Sequence, residues 1–327
     1  MNLPIAIARR VGYALILLLA VLVLNFTLLH LAPGDIAETI VGESGGASKE
    51  MLAKIRKDYG LDLPFHEQLL NYLDRVAQGD FGHSLFFDQP VTELIFEKLV
   101  PTLLLVISSL FIAIVFGTFL GVFAARRPSG LLSQLITVLA LLGYALPVFW
   151  TGIMLVILFA SLIPIFPTSG MDSGPLGASG VGYIWEVLHH MTLPVVTLST
   201  IYLAFYSRLS RASMMDVLGA DYIRTARAKG LSEQIVIFKH ALRNAVLPVV
   251  TFAGLQFGAL FSGAVLVENV FSWPGLGTLA FESILRRDTP TLLGILFFSA
   301  LVVIIANLLT DLAYRLIDPR IKTGAKA

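Results

Sequence analysis

The chain has 327 residues, of which 56% are apolar and 14% charged, with a formal net charge of +1 and no cysteine. So apolar a composition excludes an ordinary soluble globular protein and indicates a polytopic membrane protein. The lack of cysteine also excludes disulfides, thiolate metal sites and cysteine nucleophiles.

Six apolar runs are long enough to cross about 30 Å of hydrocarbon as helices. They cover residues 11–31, 102–125, 131–166, 191–210, 246–267 and 292–317. Because these runs are continuous rather than alternating, they predict helical spans and an all-α fold. The third run is long enough to raise a second possibility, two crossings interrupted at Pro147 or Pro164.

The distribution of basic residues predicts the topology. With one crossing per run and the N-terminus inside, most of the 23 Lys and Arg residues fall on the cytosolic side, including a dense basic loop between the fourth and fifth runs. Splitting the third run would place that loop outside. We therefore expect six crossings of the lipid bilayer with both termini cytosolic, and a retained first span rather than a cleaved signal peptide.

The external segment, residues 33–101, has apolar positions at helical spacing in two places. One group begins at Met51 and stops at Gly60, and the other follows Pro64 and stops at Gly79. Two short amphipathic helices are expected there, either packed against the spans or forming a docking surface for an external partner. The Gly-rich stretch from Gly42 lacks the Gly-Lys-Ser/Thr signature of a phosphate-binding loop, so no ATP site is expected on this chain.

Polar residues within the spans are few. Asn25 and Gln256 are the candidates for lining a solute path, although interhelical hydrogen bonding is the more common role for such residues. The midplane offers no evident ionisable group for proton or sodium coupling. Adjacent His189 and His190 do not share a helical face, so we expect no metal site, and no enzyme signature predicts catalytic residues.

The basic loop between spans four and five predicts a helix from Asp216 to Gly230, closed by that glycine, and a second helix from Glu233 to Asn244 capped by Ser232. A small-surfaced, basic-edged helix suits a groove on a soluble partner. It equally suits the anionic membrane surface, and periodicity does not decide between them.

The basic loop is one of several motifs that follow one another along the chain. The loop reads Gly219-Ala-Asp-Tyr-Ile-Arg-Thr-Ala-Arg-Ala-Lys-Gly-Leu231 and is followed by His240-Ala-Leu-Arg-Asn-Ala-Val-Leu-Pro248. The other segments, in order, are Ala32-Pro-Gly-Asp35, Gly79-Asp-Phe-Gly82 with Ser84, Phe271-Ser-Trp-Pro-Gly-Leu-Gly277 with Arg287-Asp288, and Asp318-Pro-Arg320. Together these motifs resemble those of ABC importer permeases of the dipeptide/oligopeptide/nickel family.

The resemblance implies the type I ABC importer permease fold in a prokaryotic plasma membrane. It divides the chain into a first span (1–32), the external segment (33–101), a five-helix core (102–317) with a coupling loop (211–245), and a tail (318–327). The implied partners are a second homologous permease, two ATP-binding subunits that hold ATP and Mg, and a periplasmic or lipid-anchored solute-binding protein, with no nucleic acid and no cofactor on this chain. Peptide-like solutes are the expected cargo; the alternative is a self-sufficient secondary transporter.

The resemblance also implies site residues. The ATPase-docking helix would present Asp221, Tyr222, Arg224, Thr225, Ala226, Arg227, Ala228, Lys229 and Gly230. The glutamate of the general importer motif Glu-Ala-Ala-x-x-x-Gly is absent, and Arg224 stands in its place. An external loop with Phe271, Trp273, Pro274, Gly275 and Gly277 would protrude toward the binding protein, form a re-entrant plug, or pack at the rim of the bundle.

Overall fold

The computed structural model describes residues 3–31, 62–84, 86–174, 177 and 179–317. Over these ranges the regular structure is helical apart from one short β-hairpin, as the apolar runs predict. The elements in chain order are α1 (Leu3–Leu31), α2 (Phe65–Ala77), β1 (His83–Ser84), β2 (Gln89–Pro90), α3 (Val91–Arg126), α4 (Leu131–Ala145), α5 (Val148–Val156), α6 (Val181–Leu218), α7 (Asp221–Ala228), α8 (Glu233–Ile235), α9 (Leu242–Ala245), α10 (Leu247–Phe271), α11 (Leu276–Leu285) and α12 (Thr289–Ile317). A π-helical segment, Ile157–Leu162, continues α5, and a second, Val236–Ala241, joins α8 to α9.

In the described part of the chain, five helices are long and apolar enough to cross a membrane, namely α1, α3, α6, α10 and α12. The third apolar run forms a bent pair instead, in which α4 meets α5 and its π-helical extension at 104°. The bend follows from Pro147, which lacks an N–H and holds Leu146 in extended backbone, ψ 135°. Counted as one broken span, this pair completes the six predicted crossings.

Several helices extend beyond their apolar runs. Helix α3 begins at Val91 rather than at residue 102, so residues 91–101, assigned to the external segment, are helical and continuous with the second span. Helix α6 covers Val181–Leu218 rather than residues 191–210. The reason is that hydropathy marks only the part of a helix that lies in hydrocarbon, whereas backbone hydrogen bonding continues through polar residues.

Of the two predicted external helices, the second is confirmed as α2, which follows Pro64 and ends before Gly79, a residue with φ 81°. The first, beginning at Met51, lies outside the described residues, as do the motifs at 32–35 and 318–320.

One compact unit comprises the described part of Met1–Val100 together with Gly275–Ile305. Its core joins α1, α2 and α12 through Leu22, Tyr72 and Leu293. Phe26 on α1 stacks on Tyr72 with ring centroids 5.2 Å apart. The amphipathic helix α2 therefore packs against a span, although this packing does not exclude an external partner on its other face.

A polar cluster in the same unit joins two motifs that are distant in sequence. The Ser84 hydroxyl donates to the Asp288 carboxylate at 2.5 Å, and the Thr291 hydroxyl donates to the same oxygen at 2.7 Å. Asp288 precedes α12, and its Oδ1 accepts the Thr291 backbone N–H at 3.4 Å, which is the position of an N-cap. Both motifs therefore have a structural role here: the hairpin, in which His83 pairs with Pro90, is fixed to the start of α12.

The second unit comprises Pro101–Pro274 with the described residues from Ala306 onward. Helix α6 lies at its centre and packs against α4, α5 and α10. Close approach to α3 depends on glycine: a Cβ at Gly117 would lie 2.8 Å from the Tyr206 Cβ, and one at Gly121 would lie 2.5 Å from the Ser207 carbonyl oxygen. A Cβ at Gly254 would overlap the Thr310 side chain. These Gly-x-x-x-Gly segments therefore pack within the chain.

Candidate functional site

The basic loop contains a separate short helix, α7, rather than the continuous helix predicted from Asp216 to Gly230. Helix α6 ends at Leu218, Gly219 and Ala220 form a turn, and α7 begins at Asp221. Ala220 is in extended backbone, φ −73° and ψ 150°, which is typical of the residue preceding a helix. Residues 216–218 are thus the last turn of the central helix.

The end of α7 was predicted correctly and is a Schellman motif. The Gly230 N–H donates to the Arg227 carbonyl at 2.9 Å, and the Leu231 N–H donates to the Ala226 carbonyl at 3.4 Å. Gly230 has φ 77°, a conformation that side chains disfavour, and a Cβ there would contact nothing within 4 Å. Glycine is required here by the backbone and not by crowding.

Two residues anchor α7 to the bundle. Ile223 is 0% exposed and Ala226 is 6% exposed. They share a buried cluster with Val122, Ala125, Met214, Val236, Ile237, Ala241 and Ala245, which belong to α3, α6 and the segment from α8 to α9. Ala226 was predicted to be part of the docking surface; this is corrected, because its side chain faces the bundle.

The remaining predicted docking residues lie on the solvent side, which we call the coupling face. It consists of Asp221, Tyr222, Arg224, Thr225, Arg227, Ala228, Lys229 and Gly230, all exposed. Arg224 lies 3.5 Å from the Asp221 carboxylate, with both side chains largely exposed. Lys229 forms no ion pair with any described residue. The coupling face is therefore compact and predominantly cationic.

Two contacts hold α7 to the helical segment from α8 to α9. The Arg227 guanidinium donates to both carboxylate oxygens of Glu233, at 2.7 Å and 3.2 Å. This hydrogen bonding holds the pKa of Glu233 below its ordinary value and raises the pKa of Arg227. The Asn244 side-chain amide donates to the Tyr222 hydroxyl at 2.8 Å. Ser232 does precede α8, as predicted, but its hydroxyl makes no capping hydrogen bond.

Ile223, Glu233 and Asn244 were missed by sequence reasoning. Ile223 and Ala226 are three residues apart, and that spacing places them on one helical face, so the anchoring pair was open to detection. The other two residues contact α7 across a turn whose geometry the sequence does not specify.

The external loop residues are largely buried. Phe271 is 1% exposed and Trp273 is 0% exposed, and Gly275 and Gly277 are also buried, whereas Pro274 is half-buried. The Trp273 indole N–H donates to the Pro101 carbonyl on α3 at 3.0 Å. This burial favours packing at the rim of the bundle over a protrusion that Trp273 would present to a partner.

The two candidate path residues lie in different units of the chain. Asn25 is half-buried on α1 and Gln256 is half-buried on α10, and neither side chain hydrogen-bonds to a described residue. Nothing in these surroundings assigns a role to either residue, and their place in a solute path stays a prediction.

The adjacent histidines contact backbone carbonyls of the loop that precedes α6. His189 Nε2 lies 2.8 Å from the Ile165 carbonyl, and His190 Nδ1 lies 3.2 Å from the Ser169 carbonyl. Across the described ranges, no group of three or more His, Cys, Asp or Glu side chains is placed to bind a metal ion.

Comparison with known proteins gives a consistent result along nearly the whole chain. The family described as Binding-protein-dependent transport system inner membrane component matches residues 117–323, and its N-terminal counterpart matches residues 5–106. The chain is similar to the dipeptide transport system permease protein DppB of Escherichia coli strain K12, with 40% identity over 97% of this chain and 98% of that protein. It is also similar to the oligopeptide transport system permease protein AppB of Bacillus subtilis, with 38% identity and the same coverage. The glutathione transport system permease protein GsiC of Salmonella typhimurium is 41% identical over 93% of this chain and 94% of its own length.

Among solved structures, the MetNI methionine ABC transporter in inward-facing conformations matches with a TM-score of 0.56 and 16% identity, covering 69% of this chain and 97% of that chain. A likeness at this identity concerns the fold alone, and it is the fold that the motifs predict. The chain therefore belongs to the family of binding-protein-dependent transport system inner membrane components, and it is a multi-pass inner-membrane permease.

Proposed function

We propose that this chain forms half of the translocation path of an ATP-driven importer for peptide-like solutes and that α7 couples the path to an ATPase subunit. The supporting observation is the construction of α7, a separate helix with two buried anchors on one side and a continuous exposed face on the other. ATP hydrolysis belongs to separate subunits, since the curated relatives are permeases.

The buried cluster provides a mechanical connection. Val122 and Ala125 lie near the end of α3, and Met214 lies near the end of α6. Because close-packed side chains transmit displacement instead of absorbing it, a push on α7 would move the ends of both spans. Helix α6 has 38 residues, which corresponds to about 57 Å of helix, so it reaches across the bilayer. Closure of the ATPase subunits would thereby move the spans that form the solute path as rigid bodies.

The charge of the coupling face specifies the complementary groove. Lys229 forms no ion pair with a described residue, and the contact of Arg224 with Asp221 is long, at 3.5 Å, and exposed, so both cations can meet carboxylates on a partner. Arg227 is already paired with Glu233 at 2.7 Å. We therefore expect the groove on the ATPase subunit to be acidic. A groove that receives the glutamate of the general importer motif would need the opposite charge at that position.

Partners and cargo follow from the family. The complex would contain a second homologous permease, two ATP-binding subunits with ATP and Mg, and an external solute-binding protein. Relatives named for dipeptide, oligopeptide and glutathione transport support a peptide-like solute.

The assembly is tested by purifying the tagged chain from its native membrane in mild detergent and identifying co-purifying proteins by mass spectrometry. Recovery of a second permease and of ATPases with phosphate-binding loops is the expected result. A stable homo-oligomer with no ATPase would contradict the proposal and favour a secondary transporter.

The coupling role is tested at Gly230 by comparing Gly230→Ala with Gly230→Trp. Both substitutions carry the same backbone strain, of about 1 kcal/mol, since both place a Cβ at positive φ. Only tryptophan adds bulk to the coupling face. We expect Gly230→Trp to abolish substrate-stimulated ATP hydrolysis and peptide uptake, and Gly230→Ala to retain most of both activities. Equal activity of the two variants would refute docking at this face.

A further inference from the structure

A cavity of ≈ 490 Å³ opens at the N-terminus of α4, on the side of the second unit that carries α7. Its polar lining comes from Arg126, Arg127, Ser133 and Glu233. Its apolar lining includes Phe123 and both leucines of the first turn of α4. No residue of the coupling face lines the cavity, although Glu233 of the lining pairs with Arg227 of that face. Docking of α7 does not by itself account for the cavity.

The backbone at this point favours an anion. The first intrahelical hydrogen bond of α4 runs from the Gln134 N–H to the Gly130 carbonyl at 3.1 Å, so the amides of residues 131–133 have no intrahelical partner. Gly130 precedes the helix and has no side chain with which to cap it. The unpaired amides and the helix dipole together attract negative charge.

Ser133 gives a second, independent indication. The residue lines the cavity and is 2% exposed, yet its hydroxyl has no hydrogen-bond partner within the described structure. A buried hydroxyl without a partner is unfavourable, so a ligand that accepts a hydrogen bond from it is the simplest way to satisfy it.

The charges at the cavity have the matching sign. Arg126 and Arg127 are exposed and form no ion pair with a described residue. Glu233 is the acidic residue of the lining, and both of its oxygens accept hydrogen bonds from Arg227. Arg126 also interacts electrostatically with Glu233 and lies 6.0 Å from the centroid of the Phe123 ring. With Arg227 paired to Glu233, the cavity still carries a net positive charge from the two arginines, which suits phosphate oxygens.

The apolar lining distinguishes a lipid from a free ion. Phe123 is 40% exposed, Leu132 is 58% exposed and Leu131 is 85% exposed, all beside the basic residues. Helix α3 ends at Arg126 and α4 begins at Leu131, so the cavity lies at the junction of two apolar helices. A phospholipid offers both a phosphodiester for the arginines and acyl chains for these side chains.

We propose that this cavity binds the phosphodiester headgroup of an anionic phospholipid. The headgroup would lie between Arg126 and Arg127 and accept hydrogen bonds from the Ser133 hydroxyl and from the first amides of α4. The bound lipid would fix the junction between α3 and α4 to the membrane surface. This site is independent of the coupling role, and its failure would leave the proposed function unaffected.

The test is native mass spectrometry of the full-length chain, together with any subunits that co-purify, titrated with dioleoylphosphatidylglycerol in detergent. Dioleoylphosphatidylcholine, inorganic phosphate and glycerol 3-phosphate serve as the other probes. Each arginine should contribute about fivefold to phosphatidylglycerol affinity, so Arg126→Gln combined with Arg127→Gln should weaken it by more than tenfold. Ser133→Ala should weaken it roughly tenfold.

The matched control is Arg224→Gln combined with Lys229→Gln, which removes the same charge from the coupling face. We expect this control to bind phosphatidylglycerol as the unaltered chain does. An equal loss of phosphatidylglycerol affinity in the control would mean that binding depends on the net charge of the chain alone, and this would overturn the site. Unchanged affinity in the Ser133→Ala and double-arginine variants would overturn it as well. Displacement of the lipid by inorganic phosphate or glycerol 3-phosphate at equal concentration would show that the site takes a free anion, which contradicts a lipid.

Discussion

Replacing Ile223 with alanine is expected to detach α7 from the bundle while leaving the spans folded. Ile223 is fully buried, and Ala226 is the only other buried residue in α7. A helix of eight residues has little stability of its own in water, so its position depends on these anchors.

The size of the effect follows from the cavity that the substitution leaves. Large-to-small replacement of a buried isoleucine by alanine costs about 2–5 kcal/mol. We expect a value near 2 kcal/mol, because a loop at the end of the bundle can partly collapse onto the vacated space. A loss of that size increases local opening of α7 about 30-fold.

Hydrogen exchange of the purified chain measures this opening directly. Amides of residues 223–230 should exchange about 30-fold faster in Ile223→Ala, while those of α6 keep their protection. Thr225→Ala is the control, since Thr225 is exposed on the same helix and bonds only to the Asp221 carbonyl, at 3.1 Å. Unchanged exchange in Ile223→Ala, or equal acceleration in Thr225→Ala, would refute the anchoring argument.

Three further predictions concern packing and charge. Trp273→Phe should lower the free energy of unfolding by about 1–3 kcal/mol, because it removes a buried hydrogen bond to the Pro101 carbonyl and part of a fully buried ring; an unchanged free energy of unfolding would mean that the indole bond is dispensable. Gly254→Ala should lower the free energy of unfolding by about 1–3 kcal/mol, because its Cβ overlaps the Thr310 side chain. Adding Thr310→Ala to the same chain should restore the lost stability, and failure of this rescue would contradict the contact. Glu233→Gln should cost less than about 1 kcal/mol at neutral pH, since the pair with Arg227 is exposed. The pKa of Glu233 is held below its ordinary 4.5, so this stabilisation is present above that pH and is lost as the pH falls through the lowered pKa; a stability difference from Glu233→Gln that did not shrink as the pH was lowered below 4.5 would contradict the pairing.

The spans were predictable because a bilayer imposes a length and a composition on any helix that crosses it. Their ends were not, since hydrogen bonding extends a helix independently of hydropathy. Residues 91–101 show this: they include Glu93, Lys98 and Pro101, yet they form the first turns of α3.

The coupling loop was predictable where the backbone needs a particular residue. Gly230 ends α7 because its positive φ favours glycine. The turn at Gly219 and Ala220 was missed because residues 216–220 are compatible with a continuous helix. Ala226 was misplaced because a small residue suits a docking face and a buried contact equally well, and the packing of other helices decides between them.

Trp273 shows the limit of local composition. A tryptophan among Pro and Gly is typical of an exposed recognition loop, but its indole bonds to a carbonyl 172 residues away in sequence. Contacts of such separation depend on the tertiary fold, which no local pattern specifies. The same limit applies to Asn25 and Gln256, whose neighbours in an assembled path would come partly from other chains.

The central claim is that α7 is the contact with an ATPase subunit, and site-directed cross-linking tests it most directly. The chain has no cysteine, so single substitutions can be introduced without a background. Arg224→Cys and Lys229→Cys report on the coupling face, and Val181→Cys, 84% exposed at the opposite end of α6, is the control. If α7 docks on an ATPase subunit, both coupling-face variants cross-link to a co-purifying ATPase subunit and Val181→Cys does not. Cross-linking of Val181→Cys alone, or of none of the three in an assembled complex, would contradict it.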